Sequence, residues 1–405
     1  MVNSIFLVAY TKLSGLLRDL LIVMLLGLTS TSDAIFFGMS LLMLFQLAMY
    51  HGNVNVLGEV PILSRLLNFV LKKRKAIAFL YLLIVVLAGQ LFYWLVDSGL
   101  DLFDSYLICF LLLVPLSMVM GLVASYGVLQ GNKGSHVEIT SIQNTVTIIS
   151  ALIFFFLFDE KLVFLSWFFG HIAVVLSLGF IADRASVVDE AERQGRKIVI
   201  SSFLSPALML LIVLIERAFY SNVEGSIGLI KLLETGALSI MFLMEVLFLN
   251  PVLSRFSREK NTDSYKKNVK NALLVTLKKV MPFGLILMFF FLIFFACLHS
   301  YSLLPFSISD ELDQYVIMLL VLYYFYFMVV VLRDHIERYY FLVFRSDKVL
   351  SANIFVLVFM LFLNIYFLGY APLSIAAISI TLMFMKVLYL IVGIRKASLK
   401  IDCYE

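Results

Sequence analysis

Three cysteines in 405 residues, Cys109, Cys297 and Cys403, are too few and too scattered for a disulfide framework or a metal-ligand spacing. Seven prolines and 20 glycines exclude a collagen-like or linker-rich chain. Charge is scarce: Asp, Glu, Lys and Arg make up 14% of the residues, whereas a soluble domain carries roughly a quarter. Catalytic signatures are missing too. There is no Walker A loop, which argues against an intrinsic ATPase, and no G-x-S-x-G or H-E-x-x-H pattern. The five histidines (His51, His136, His171, His299, His335) are dispersed, and His171 in an apolar run reads as a packed or hydrogen-bonded side chain.

What fills the chain instead is apolar. Hydrophobic residues are 62% of the total, with 38 Phe and 19 Tyr, and the mean hydropathy is +1.02. This is the composition of a polytopic membrane protein. The start does not read as a cleavable signal, because Met1 to Ser4 carry no cation and Lys12, Arg18 and Asp19 interrupt the first apolar run. A helix needs about 20 mostly apolar residues to cross the hydrocarbon core. That criterion predicts spans near 4–27, 34–56, 76–96, 105–129, 138–158 and 162–182, then 199–220, 226–250, 280–298, 314–343, 351–370 and 373–394. No β-barrel pattern of short alternating segments occurs. The predicted fold class is all-α, with about twelve transmembrane helices.

Lys and Arg set the expected orientation. Connections after even-numbered spans, with the tail, hold 23 of the 31 basic residues, whereas those after odd-numbered spans hold Lys161 alone. Both termini are therefore expected in the cytoplasm. The outer connections are short, the longest being 299–313, and leave no room for a catalytic domain; a non-enzyme is expected. An internal repeat adds a second layer. Pro61-Ile62-Leu63-Ser64-Arg65 follows the second span and Pro251-Val252-Leu253-Ser254-Arg255 the eighth, each ahead of a basic stretch. Six spans per copy make the repeats parallel. The expected organisation is an N-lobe at 1–183, a cytoplasmic linker at 184–198 and a C-lobe at 199–405, the two lobes flanking a central cavity.

Seven basic residues fall inside apolar spans: Lys12, Arg18, Arg217, Lys231, Arg333, Arg338 and Lys386. A charge at the bilayer centre costs roughly 2.5–3.5 kcal/mol on insertion scales, so such residues face a cavity or a partner. Lys12 is also near enough to the cytoplasmic end to snorkel. Arg18 is deeper, and Asp19 beside it belongs to another helix face. Asp33 opens the second span, where a carboxylate suits a helix N-terminus as well as a cavity. Glu216-Arg217, and Lys231 with Glu234, repeat the mixture of signs in the second half. Arg333–Glu337 and Asp334–Arg338 are i,i+4 pairs that read either as buried or as a solvated helix end; Lys386 is either cavity-facing or snorkelling. Several cations with few carboxylates suit an anionic substrate, and a pyrophosphate carried on a lipid fits Arg and Lys partners.

The run Gly15-Leu16-Leu17-Arg18-Asp19, then Gly27, then Thr31-Ser32-Asp33-Ala34-Ile35-Phe36-Phe37 resembles the N-terminal signature of the MviN/MurJ-like lipid II flippases. These belong to the multidrug/oligosaccharidyl-lipid/polysaccharide (MOP) exporter superfamily. The similarity extends from Lys12 to Gly52 and Pro61-Ile62-Leu63, and returns at Gly127 to Asn132, Gly225-Ser226-Ile227, Pro251 to Arg255 and Asn364. It is strong at 12–37 and thin elsewhere. The resemblance implies that Arg18 and Asp33 fall on functionally important cavity residues, and that Lys12 stands where the family has an arginine. It also marks departures. Gln46 and Leu47 replace an arginine pair, His51 replaces a glutamate, and Thr235 lies nearest an absent eighth-helix arginine, with Lys231 one turn earlier. Glu216 resembles an acidic position that some members use for sodium. Two C-terminal helices of the lipid II flippases are missing, whereas twelve helices are usual for Wzx-type polysaccharide flippases.

The resulting expectation is an inner-membrane flippase for an undecaprenyl-pyrophosphate-linked saccharide, an O-antigen or exopolysaccharide repeat unit, working by alternating access. Lys12, Arg18, Asp33, Arg217 and Lys231 are expected to meet the substrate, and Asp19, Glu216 and Glu234 to take part in coupling or gating. No cofactor or resident metal is expected; coupling would be to Na+, H+ or the membrane potential. The expected partners are the lipid-linked glycan, the bilayer and polysaccharide or peptidoglycan assembly proteins, without nucleic acid. The alternatives are lipid II transport and cation-coupled export of small amphipathic drugs.

Overall fold

A computed structural model describes residues 2–55, 61–129, 135–182, 196–244, 248, 274–304, 306, 308–342, 346–366 and 372–401. Every long element among them is a helix. The first group is α1 (Val2–Leu26), α2 (Ser30–Asn55), α3 (Pro61–Asp97), α4 (Leu102–Leu111), α5 (Val114–Leu129), α6 (Ser135–Leu157) and α7 (Leu165–Ala182). The second is α8 (Arg196–Tyr220), α9 (Ser226–Met244), α10 (Met281–Ser300), α11 (Val316–Leu342), α12 (Ser346–Tyr366) and α13 (Pro372–Ile401). Among the described residues, eight helices are long and apolar enough to span a membrane, and nine when α4 and α5 are taken as one bent span. The remaining long helices α1, α8 and α9 carry the charges described below. With them the described residues form twelve helical segments, the number that the hydropathy pattern predicts.

Local chemistry explains the interruptions. α4 and α5 meet at 45° because Pro115 has no N–H to donate and its ring crowds the carbonyl of Leu111, four residues earlier. The chain tightens there: the Leu112 and Leu113 amides donate to Cys109 and Phe110 at 3.2 and 2.9 Å. Before α7, the Asp159 carboxylate accepts from the Lys161 amide at 2.8 Å and starts a short 3₁₀ turn, Glu160–Phe164. α3 is broken at Lys73, whose φ of −107° and ψ of 15° leave the helical region.

The chain separates into two compact units: Met1–Leu232 with Phe306–Ser309, and Leu233–Pro305 with Asp310–Glu405. The expected lobe boundary at 184–198 lies mostly outside the described residues, and the units do not follow it. They part inside α9, because α8 packs along α2 and so joins the first unit. In that unit a ring cluster of Phe92, Tyr106, Phe110, Phe164 and Phe168 ties α3, α4 and α7 together, with centroids 4.6–6.4 Å apart. Helices α2 and α5 approach so closely at Gly121 that an added Cβ would lie 2.0 Å from the Gln46 carbonyl. In the second unit α11 packs on α10 and α13, with Met288, Leu319, Phe327, Val330, Met383 and Leu390 buried. Around both interiors the helices expose large apolar side chains, among them Phe79, Leu80 and Leu83 on α3 and Phe290 and Phe294 on α10. An apolar exterior of this extent suits lipid rather than water.

Candidate functional site

Arg18 lies in the interior of the first unit, 7% exposed, and its neighbour Asp19 is fully buried. The Arg18 Nε and Nη2 atoms donate to one carboxylate oxygen of Asp19, at 2.7 and 2.5 Å. Nη1 donates to Asn144 Oδ1 on α6 at 2.7 Å, and the guanidinium stands 4.6 Å from the Trp167 ring centroid on α7. Asn144 in turn donates to the Thr11 carbonyl and to Ser14 Oγ, both at 3.3 Å, closing the circuit back onto α1. The two adjacent residues pair although they belong to different helix faces. Their backbones do point about 100° apart, but the long arginine stem folds sideways, and a buried carboxylate left alone would cost several kcal/mol. A second polar seam lies beside it. His171 Nδ1 donates to the Trp167 carbonyl at 2.8 Å, and its Nε2 lies 3.3 Å from Ser117 Oγ.

Asp33 occupies a different place. It sits in the first turn of α2, 3% exposed, and accepts from two backbone amides at the start of α9. Gly225 N–H donates to Oδ2 and Gly228 N–H to Oδ1, each at 2.8 Å. A helix start has four amides without partners and a positive dipole end, so a carboxylate satisfies both at once. The arrangement is reciprocal. Glu224, just before α9, accepts from the Ser30 amide at the start of α2 at 3.0 Å. Gly225 is required at this junction: its φ is +81°, and an added Cβ would lie 2.5 Å from the Leu28 carbonyl oxygen. Thus the α1–α2 turn and the α8–α9 turn cap each other's following helix.

The other sequence-predicted residues are distributed more widely. Lys12 is exposed on α1, two turns before Arg18. Glu216 and Arg217 are buried on α8, where Tyr220 Oη donates to Glu216 at 3.3 Å. Lys231 and Glu234 are both buried on α9. Arg18 with Asp19, and Asp33 with the start of α9, thus make different sets of hydrogen bonds. His51 and Arg338 have side chains outside the described residues.

The second unit holds a charge cluster of its own. Arg333 donates to Asp334 at 2.7 and 3.0 Å and lies 3.9 Å from Glu337. Lys386, 1% exposed on α13, pairs with the same Glu337 across the helix interface. This settles two open readings: Arg333, Asp334 and Glu337 on α11 pair inside the unit rather than forming a solvated helix end, and Lys386 does not snorkel. Sequence reasoning also missed Glu224, Asn144 and Trp167. Nothing in their local spacing marks them, since each becomes a partner only when distant helices pack.

Neither a family model nor a curated protein matches the chain. Solved structures do. The lipid II flippase MurJ in an inward closed conformation aligns with a TM-score of 0.66 at 15% identity, covering 98% of this chain and 88% of that one. The fold is that of the MOP transporters. An inward-facing MATE multidrug resistance transporter of the MOP superfamily aligns with a TM-score of 0.52 at 14% identity, over 100% of this chain and 95% of that one. A MOP superfamily transporter from Pyrococcus furiosus, described as having a binding pocket of reversed polarity, aligns at 0.54 with 14% identity, over 98% and 95%. At such identities the MOP likeness is one of fold.

Proposed function

We propose that this chain is a MOP-type flippase of the bacterial cytoplasmic membrane, with both termini cytoplasmic. It moves an undecaprenyl-pyrophosphate-linked saccharide, a surface-polysaccharide repeat unit, to the outer leaflet by alternating access. The observation that carries the proposal is the higher TM-score to the lipid II flippase, 0.66, than to the MATE transporter, 0.52. The buried cations support an anionic cargo. In this reading Lys12, Arg217 and Lys231 supply charge to the pyrophosphate. Arg18 belongs to the same site and also holds α1 against α6 and α7. Asp33 gates: its bonds to Gly225 and Gly228 keep the outer ends of α2 and α9 together and break when the outer side opens. Asp19, Glu216 and Glu234 couple the cycle to Na+, H+ or the membrane potential.

Absence of the second-helix arginine pair at Gln46 and Leu47 favours a polysaccharide unit over lipid II. The test is mass spectrometry of lipids retained by gently purified protein from its native host. A bound undecaprenyl-pyrophosphate glycan is expected, and its sugar mass separates a polysaccharide unit from lipid II. Retention of bulk phospholipid alone would overturn the proposal. The MATE likeness favours a second reading, export of small amphipathic drugs, which predicts multidrug tolerance on expression without a polysaccharide phenotype.

A further inference from the structure

Four consecutive cations, Lys72, Lys73, Arg74 and Lys75, stand at one end of the membrane span of α3, Lys72–Asp97. In a regular helix successive side chains are about 100° apart, so four in a row would fan around most of the cylinder. They do not fan here. The break at Lys73 redirects the chain, and all four line a single concavity of about 420 Å³ together with Ala76. Lys72, Lys73 and Lys75 are exposed and Arg74 is half-buried. Among the described residues none of the four has a salt bridge or hydrogen bond to a carboxylate. One turn to either side, Phe69 and Phe79 are 58% and 71% exposed, which sets the cations at the edge of an apolar surface. Like charges gathered without a counterion repel, and leaving them so is unfavourable unless an anion completes the group.

We infer that the break in α3 at Lys73 is a binding site for the phosphate of an acidic phospholipid headgroup at the membrane surface. The concavity holds the phosphate between the cations while the acyl chains lie along the exposed apolar side chains of α3. An ordinary orientation signal requires only that the cations be near the membrane end, whereas this site requires them to converge. On the orientation proposed above the leaflet is the cytoplasmic one, but binding is independent of which substrate the protein moves.

The test is native mass spectrometry of the full chain released from nanodiscs of equal phosphatidylglycerol and phosphatidylcholine. Each near-surface cation strengthens attraction to an acidic lipid by about fivefold, from roughly 1 kcal/mol per Lys or Arg. Wild-type protein is expected to retain phosphatidylglycerol over phosphatidylcholine, and Lys72→Gln/Lys73→Gln and Arg74→Gln/Lys75→Gln to lose at least tenfold of that preference each. Each double variant keeps two cations, so insertion is preserved. Lys278→Gln/Lys279→Gln, which removes two exposed cations elsewhere, is expected to retain the preference. No preference in wild type, or equal losses in all three variants, would overturn the inference. Inorganic pyrophosphate added at low millimolar concentration supplies the last arm. If it displaces the lipid completely from wild type, the site belongs to a free phosphate and the lipid assignment fails.

Discussion

Substitution of Asp33 tests the reciprocal cap most directly. Both of its carboxylate oxygens accept buried backbone amides, from Gly225 and Gly228 at 2.8 Å each. A hydrogen bond to a charged group contributes about 1.5–3 kcal/mol, and an amide left buried without a partner costs a similar amount. Asp33→Ala removes both acceptors, so local opening at the start of α9 should become easier by about 3 kcal/mol, roughly a hundredfold in the opening equilibrium. Asp33→Asn keeps one acceptor and turns an amide NH2 toward the other donor, for an expected loss of about 1.5 kcal/mol, or tenfold. Glu224 is exposed and accepts one amide, so Glu224→Ala should shift the α2 start by only about twofold, as surface pairs do. Hydrogen–deuterium exchange on detergent-purified protein reads these ratios, in peptides covering 220–230 for the Asp33 variants and 28–36 for Glu224→Ala. The expected order is Asp33→Ala, then Asp33→Asn, then Glu224→Ala. Exchange in Asp33→Ala within twofold of wild type, with the fold intact by thermal melt, would refute the reasoning.

Gly225→Ala should destabilise the α8–α9 turn by about 2 kcal/mol or more, from a positive φ and the contact with the Leu28 carbonyl; purified yield and melting temperature check it. Glu337→Gln and Lys386→Met should each lower stability by about 3 kcal/mol, and the double variant by less than their sum, because each single change breaks the same buried Glu337–Lys386 pair. Arg18→Lys should cost about 1–3 kcal/mol, since an ammonium cannot serve Asp19, Asn144 and the Trp167 face together. Arg18→Ala should cost more than Arg18→Ala/Asp19→Ala, an order that a double-mutant melting cycle measures directly.

The helical class was legible because lipid forces every backbone group to bond within its own segment, leaving long apolar runs as the only spanning solution. The bend at Pro115 was legible in principle from its missing N–H. Which helices pack together was not, because no local pattern says that α8 packs along α2. The charged residues were visible as anomalies in apolar sequence, but their partners were not. Asp33 read as a residue suited to the N-terminus of its own helix, whereas the amides it accepts from begin α9, 192 residues away along the chain at Gly225. Lys386 read as either snorkelling or cavity-facing because Glu337 lies on another helix. Pairing across helices depends on register and tilt, and single-sequence periodicity carries neither.

This distinction governs how loss of transport in an Arg18 variant must be interpreted. The guanidinium fastens α1 to α6 and α7 through Asn144 and Trp167 and neutralises a fully buried Asp19. Removing it would therefore weaken the first unit even in the absence of any substrate. A binding role is separable only through a change that preserves the fastening while altering the charge facing an anion. Asp19→Asn does so: the amide oxygen still accepts from the guanidinium, but the carboxylate no longer offsets it. If Arg18 meets the pyrophosphate, Asp19→Asn should retain more of the lipid-linked glycan than wild type while melting slightly lower. If its work is wholly structural, retention and melting temperature should fall together. The two roles thus predict opposite signs for one readout, which an alanine substitution cannot provide.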